Sequence, residues 1–335
     1  MCHLRHNFGA GCSFLATVWS GIGRRKGGLG EGWNRAGPAK LSLVRIGIHC
    51  STAGRLVNAA NKALELGADC FQIFSASPRM WRAAMPPEDQ IEELKEARVR
   101  HGLAPLVIHD SYLINLAAPD AGIRRKSIAA FRDELLRAIA IGAEYLVMHP
   151  GAAKDQTVEA GIANIVASLE EAARHLKPEG FTLLLENTAG AGTTIGRSFE
   201  ELKELRDRAG ALAPFPIGFC LDTCHLYASG FDVATKKGLD ETLEQAERVL
   251  GLERIPVIHA NDSKGAFASR LDRHANIGEG HIGLEGFRRI LNHPKLREKA
   301  FVLETPIDEP GDDQRNVDAL KSLCRKSRTT TRKSS

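Results

Sequence analysis

The chain has 335 residues, 43% of them hydrophobic and 26% charged, with a formal net charge of +4. That composition excludes wholesale disorder and fibrous repeats, and the length suffices for one large core of the α/β-barrel type. Seven cysteines without a CxxC pair argue against a disulfide scaffold or a zinc ribbon and for a reducing compartment. No run of about 20 apolar residues is available to span a bilayer, so a cytoplasmic protein without a membrane partner is expected.

Taken in chain order, residues 1–40 hold Arg5, Arg24, Arg25, Lys26, Arg35 and Lys40 against the single acid Glu31, with nine glycines and no periodic pattern. This stretch reads as a disordered extension or a misassigned start, and only faintly as a targeting segment. Its Gly27–Gly32 run is not a phosphate loop, because no strand precedes it and no Gly-Lys-Ser/Thr follows. From Val44 onward, eight short apolar runs read as strands: Val44–His49, Cys70–Phe74, Pro105–His109, Tyr145–His149, Phe181–Glu186, Ile217–Asp222, Ile255–Ala260 and Phe301–Glu304. Amphipathic segments with three- and four-residue apolar spacing lie between them: Arg55–Leu66, Glu88–His101, Ile123–Ile141, Val158–His175, Phe199–Arg208, Asp240–Leu250 and Leu284–Leu291. Lys321–Ser335 carries six bases and no acid and reads as a solvated basic tail. The extension contributes +5 and the tail +6, which leaves −7 for residues 41–320, the expected catalytic domain.

Strand runs that are wholly apolar rather than alternating imply a parallel sheet covered by helices on its outer face. Eight βα units then predict a closed (β/α)8 TIM barrel, and the absence of GxGxxG after the first strand disfavours an open doubly wound sheet. In such a barrel the chemistry sits at the C-terminal ends of the strands. Six apolar runs end in a ligating residue: His109, His149, Glu186, Asp222, His259 and Glu304. His225 in Asp222-Thr-Cys-His225, with Asp272 and His274 in Asp272-Arg-His274, completes a set of five histidines and four acids.

A lone strand-end polar residue is commonly a helix cap or a satisfied core group. Several carboxylates buried together are not so easily explained, because like charges without cations must protonate or repel. Histidine with Asp/Glu is the donor set of zinc or manganese, with too little hard oxygen for calcium. Nine ligands exceed one tetrahedral ion and suit a multinuclear cluster, the standard device for phosphate-ester hydrolysis. A sugar isomerase or epimerase barrel is the rival reading.

The motifs His109-Asp-Ser-Tyr-Leu-Ile-Asn-Leu-Ala, Met148-His-Pro-Gly, Leu185-Glu-Asn-Thr-Ala-Gly, Leu221-Asp-Thr-Cys-His, His259-Ala-Asn-Asp-Ser-Lys, Ser269-Arg-Leu-Asp-Arg-His and Leu303-Glu-Thr-Pro resemble those of the endonuclease IV family of apurinic/apyrimidinic endonucleases. The resemblance runs from about Val44 to about Leu320. It implies a monomeric, zinc-dependent DNA-repair hydrolase that cuts duplex DNA 5′ to an abasic site and leaves a 3′-hydroxyl, with an additional 3′-end phosphodiesterase activity. It also implies three Zn2+ ions: one held by His109, His149 and Glu186, a second by Glu186, Asp222, His259 and Glu304, and a third by His225, Asp272 and His274. Glu186 would bridge two ions and help hold the attacking hydroxide, with Glu304 its catalytic partner. Ser77-Pro-Arg-Met-Trp81 and Tyr112-Leu113 resemble the family's recognition loops, which implies that Arg79, Tyr112 and Leu113 contact DNA and fill the gap left by an extruded nucleotide. Ala76, Ala191 and Ala260 depart from the usual residues of the family. His49 and His281 are not expected to be ligands.

Overall fold

The computed structural model describes residues 44–325; the extension read at 1–40 and the last ten residues lie outside the described residues. Eight parallel strands close into a barrel in the order β1-β10-β7-β6-β5-β4-β3-β2. They are β1 (Arg45–His49), β2 (Cys70–Phe74), β3 (Leu106–His109), β4 (Tyr145–Met148), β5 (Thr182–Glu186), β6 (Ile217–Asp222), β7 (Val257–His259) and β10 (Ala300–Leu303). Pairing of Arg45 with Ala300 and of Ile48 with Leu303 closes the ring. A short antiparallel pair, β8 (Asp262–Ser263) and β9 (His274–Ala275), stands after β7. The predicted TIM barrel and each of its eight strands are present.

The strand pleat sorts side chains into two sets, since alternate residues face opposite sides. One set packs outward on the helices and includes Phe71, Ile108, Leu185 and Phe301. The other fills the barrel axis with small groups: Cys70, Val107, Val147, Leu184, Cys220, Val257, Ala300 and Val302. Two residues beyond Val107, Val147, Leu184, Cys220, Val257 and Val302 come His109, His149, Glu186, Asp222, His259 and Glu304. Each candidate ligand therefore stands one pleat above an apolar plug. Gly47 lacks a side chain for the same packing reason, as a Cβ there would lie 2.6 Å from the Cys70 carbonyl oxygen and sulfur.

The covering helices are α1 (Val57–Glu65), α2 (Glu88–His101), α3 (Ala121–Ile141), α4 (Val158–Ala173), α5 (Phe199–Gly210), α6 (Thr223–Ser229), α7 (Lys236–Val249), α8 (Gly283–Asn292) and α9 (Asp312–Leu323). Asp120, Thr157, Ser198 and Thr235 cap α3, α4, α5 and α7 by accepting a backbone N–H of the first turn. Gly102 and Gly142 end α2 and α3 in the left-handed conformation. The sequence reading placed no helix at α6 or α9. Helix α6 has only seven residues, too few to display a 3.6-residue stripe. Helix α9 begins with two acids after a loop and buries a narrow row of Val317, Leu320 and Leu323. It also runs to Leu323, so the first residues of the segment read as a basic tail belong to the barrel's outer layer.

Phe301 is fully buried between the sheet and its helices. Phe301→Ala is expected to destabilise the protein by about 3–5 kcal/mol, read as a lower midpoint in urea denaturation at unchanged native far-UV circular dichroism.

Candidate metal centre

His109, Glu186, Asp222 and His259 are the last residues of β3, β5, β6 and β7, and His149 and Glu304 follow β4 and β10 directly. Asp222 is also the N-cap of α6: its Oδ1 accepts the His225 N–H at 2.8 Å. That single turn of helix carries His225 back over the barrel axis. Asp272 and His274 arrive from the long connection between β7 and α8, with His274 opening β9.

The nine side chains form three adjoining groups. His109 Nε2 and His149 Nε2 lie 3.0 and 3.5 Å from Glu186 Oε2. Glu186 Oε1 is 3.0 Å from His259 Nδ1, which is 3.1 Å from Glu304 Oε2; Glu186, Asp222, His259 and Glu304 converge closely enough to share one cation. Asp272 Oδ1 stands 3.2 Å from His225 Nε2 and 3.6 Å from His274 Nε2. His274 Nε2 is also 3.7 Å from Asp222 Oδ2, and Asp222, His225 and His274 are likewise close enough to share an ion.

One ring nitrogen of four of the five histidines is tied down, which fixes their tautomers. Nδ1–H of His109, His225 and His274 donates to the carbonyl oxygens of Asp110 (2.9 Å), Asn187 (2.9 Å) and Glu304 (3.1 Å). His259 Nε2–H donates to Gln72 Oε1 at 2.9 Å. Each inner nitrogen is then left with its lone pair aimed at the carboxylates. Acceptor facing acceptor is repulsive unless a proton or a cation lies between; the His274 Nε2 is buried with no hydrogen-bond partner, and the equally buried His225 Nε2 faces the Asp272 carboxylate at 3.2 Å. This is the arrangement in which outer partners orient imidazoles for a metal, and the residues present fit divalent cations.

The titration of the metal-free groups tells the same story. Burial disfavours the charged form of His109, but the hydrogen bond and charge of Glu186 outweigh it and hold the ring up at about 9. Burial would raise Glu186, yet His149, His259, His109 and His225 hold it well below the ordinary carboxylate range. Glu304 and Asp272, opposed by burial in the same way, are drawn down to about 2 by the imidazoles around them. The cysteines play no such part: burial pushes the thiols of Cys50, Cys220 and Cys224 up to about 12.

Above the cluster lies an opening of about 200 Å³ lined by Phe74, Tyr112 and the ligand side chains. It adjoins a cleft of about 1010 Å³ that shares Tyr112, His149, His225 and Asp272 and includes Leu113. Tyr112 is 61% exposed at this rim. Arg79 is exposed on the neighbouring loop, which the Ser111 hydroxyl ties in place by donating to the Pro78 carbonyl at 2.8 Å. His49 stands behind the cluster, where Gln72 Nε2 reaches its Nδ1 at 3.1 Å and burial lowers it to about 4. His281 is exposed and peripheral.

The sequence reading missed the supporting amides. Asn261 donates to Asp222 Oδ2 (2.5 Å) and Glu304 Oε2 (3.3 Å), while its Oδ1 accepts the Glu304 N–H at 2.8 Å. Gln72 donates to Glu304 Oε1 at 2.5 Å, and Asn187 Oδ1 accepts the Asp222 N–H at 2.7 Å. Their only signal in the sequence was adjacency, since Asn187 and Asn261 lie one and two residues past a strand-end ligand.

Residues 60–326 match the family of xylose isomerase-like TIM barrels. Within that class the chain is 60% identical over 280 residues to a probable endonuclease 4 of Solibacter usitatus, a match covering 84% of this chain and 97% of that protein. A crystal structure of endonuclease IV from Thermus thermophilus shares 40% identity with a TM-score of 0.73, over 83% of this chain and 98% of its own. A D-tagatose 3-epimerase-like protein shares the fold at 22% identity and a TM-score of 0.61, over 83% of this chain and 96% of its own. The chain belongs to the endonuclease IV family.

Two outcomes follow. Asn261→Ala strips hydrogen bonds from two candidate ligands and is expected to weaken metal binding about 10–100-fold, measured by chelator competition. Because His109 is raised above its unfolded value of about 6.5, it stabilises the metal-free fold fully below that pH, and the contribution disappears as pH rises through about 9. Melting temperatures of chelated protein should therefore fall across this window, with a shallower slope in His109→Asn.

Proposed function

We propose that this protein is a zinc-dependent endonuclease that hydrolyses the phosphodiester 5′ to abasic sites in duplex DNA, leaves a 3′-hydroxyl, and trims blocked 3′ ends. The observation that carries the reading is the convergence of seven donors, His109, Glu186, Asp222, His225, His259, His274 and Glu304, in three overlapping groups each close enough to share a cation, with His149 and Asp272 alongside at 3.2–3.6 Å from members of those groups. His109, His149 and Glu186 hold one ion, Glu186, Asp222, His259 and Glu304 a second, and His225, Asp272 and His274 a third. When bound, such ions supply Lewis acidity toward a phosphate and make a water acidic enough to attack it.

The chain's own groups do the rest. Glu186 presents one oxygen to His109 and His149 and the other to His259, so it would be shared by the first and second ions and could accept a hydrogen bond from the attacking water. Glu304 holds the far side of the second centre. Tyr112 and Leu113 at the rim, with Arg79 beside them, enter the duplex where base pairing is already lost and extrusion is cheapest. The enzyme acts as a monomer, since one barrel supplies every ligand.

Sugar epimerases share this fold, but that likeness extends to the fold alone. The deciding experiment is incision of a duplex carrying one tetrahydrofuran abasic analogue, paired with zinc analysis. Near three zinc per chain, 5′ incision and loss of activity in EDTA are expected; turnover of a ketose without incision refutes the reading. Glu186→Gln should lower the incision rate by about 10²–10³-fold or more while abasic-duplex binding stays measurable, and undiminished incision would remove Glu186 from the chemistry.

A further inference from the structure

The connection between β7 and α8 delivers both Asp272 and His274; His274 donates its Nδ1–H to the Glu304 carbonyl and pairs in β9 with Ser263 of β8. Two further sets of contacts hold the loop. At its base, the fully buried Asp262 accepts backbone N–H groups from Ser263 (2.8 Å), Gly278 (2.9 Å), Gly280 (3.1 Å), Ile282 (2.9 Å) and Gly283 (3.2 Å). Among the described residues no cation pairs with this carboxylate, and its hydrogen-bond partners are backbone amides. Gly280 must be glycine for so close an approach, because a Cβ would lie 2.5 Å from Asp262 Oδ1 and 2.5 Å from the Ser263 carbonyl. The motif Gly278-Glu-Gly-His-Ile-Gly283, left without a role by the ligand count, is therefore a cradle for one buried acid.

At its tip the loop is fastened to α6. Ala268 N–H donates to the Tyr227 carbonyl at 3.1 Å and Arg270 N–H to the Ala228 carbonyl at 2.8 Å, both in the last turn of the helix that carries His225. Ala268 and Arg270 take φ of 58° and 57°, a left-handed conformation that L-residues adopt only when their surroundings impose it. Arg270 lies two residues before Asp272. The strain is thus concentrated where the loop is registered against His225.

We propose that Asp262 and the Ala268 and Arg270 hydrogen bonds to α6 form a clamp that positions Asp272 and His274 against His225, so that affinity at the third centre is set separately from the other two. The inference rests on the three-centre reading above. The hydrogen bonds of the Asp262 carboxylate go to backbone N–H groups and not to a candidate ligand's side chain, while its backbone pairs with Ala275 beside His274, and it acts as a positioning residue through the loop. His109, Glu186 and His259, by contrast, are placed as the last residues of the barrel strands β3, β5 and β7.

The test has two arms. In metal-free protein, amide hydrogen exchange should show protection at Ala268, Arg270, Gly278, Gly280, Ile282 and Gly283, and Asp262→Asn should lose at least tenfold of it at 278–283 while the barrel strands keep theirs. In chelator competition, Asp262→Asn should retain two zinc ions at wild-type affinity and bind the third about 10–100-fold more weakly. Ala268→Pro, whose ring cannot adopt this φ and which has no N–H, should do the same. In a His225→Ala background Asp262→Asn should change zinc content no further, since coupled changes are not additive. Equal weakening of all ions, an unweakened third ion, or unprotected loop amides in the wild type overturns the clamp. A wild-type chain that holds fewer than three zinc ions overturns the three-centre reading instead, and the exchange arm then decides the clamp by itself.

Discussion

A single buried carboxylate organises this molecule. Glu186 is completely inaccessible to solvent and is approached by the imidazoles of His109, His149, His225 and His259 within 3.0–3.5 Å. An isolated charge at that depth would be prohibitive, so the position exists only because positive charge is brought to it. The closed barrel makes the approach geometrically simple. Six strands that each end in a donor aim those donors at one axis, and the apolar plug one pleat below keeps water from entering beneath them.

Each imidazole could turn either ring nitrogen toward the carboxylates, and the outer partners choose between them. Backbone carbonyls of Asp110, Asn187 and Glu304 take the Nδ1–H of three rings. The Gln72 amide takes the Nε2–H of His259 and also donates to Glu304. One glutamine thus orders a ligand of each type. Asn261 does the same for two carboxylates. These ligands are consequently oriented before any ion arrives, which is what a site needs if the free energy of binding is not to be spent on ordering side chains.

Charge distribution follows from the same design. The +4 of the whole chain comes from its two ends, and residues 41–320 carry −7, part of it in four carboxylates at the barrel mouth. An acidic mouth repels a polyanion such as DNA. On the proposed three-zinc reading, the ions would reverse the local sign, and their six charges would leave that domain near −1. Electrostatic attraction and catalysis would then depend on the same ions, with exposed arginines such as Arg79 supplying contacts along the backbone.

The barrel was legible from the sequence because a buried parallel strand is a wholly apolar run and a covering helix a 3.6-residue stripe, both local patterns. The nine donors were legible because each terminates such a run or stands within three residues of another donor. Asn261, Gln72 and Asp262 were not. A buried amide or an acid bonded only to backbone N–H groups has no characteristic spacing, and its role depends on which distant groups the fold brings within 3 Å. Helix α6 was hidden for a related reason: its boundary is set by Asp222 acting as a cap, a contact across one turn that leaves no periodicity. By itself, then, the sequence determined the sheet, its order of burial and the chemical types at the mouth. Which nitrogen of each histidine faces inward, which carboxylate oxygen each imidazole meets, and how the Asp272 loop is held were decided by tertiary structure, because hydrogen bonds between groups some 20 to 230 residues apart exist only once the barrel has closed.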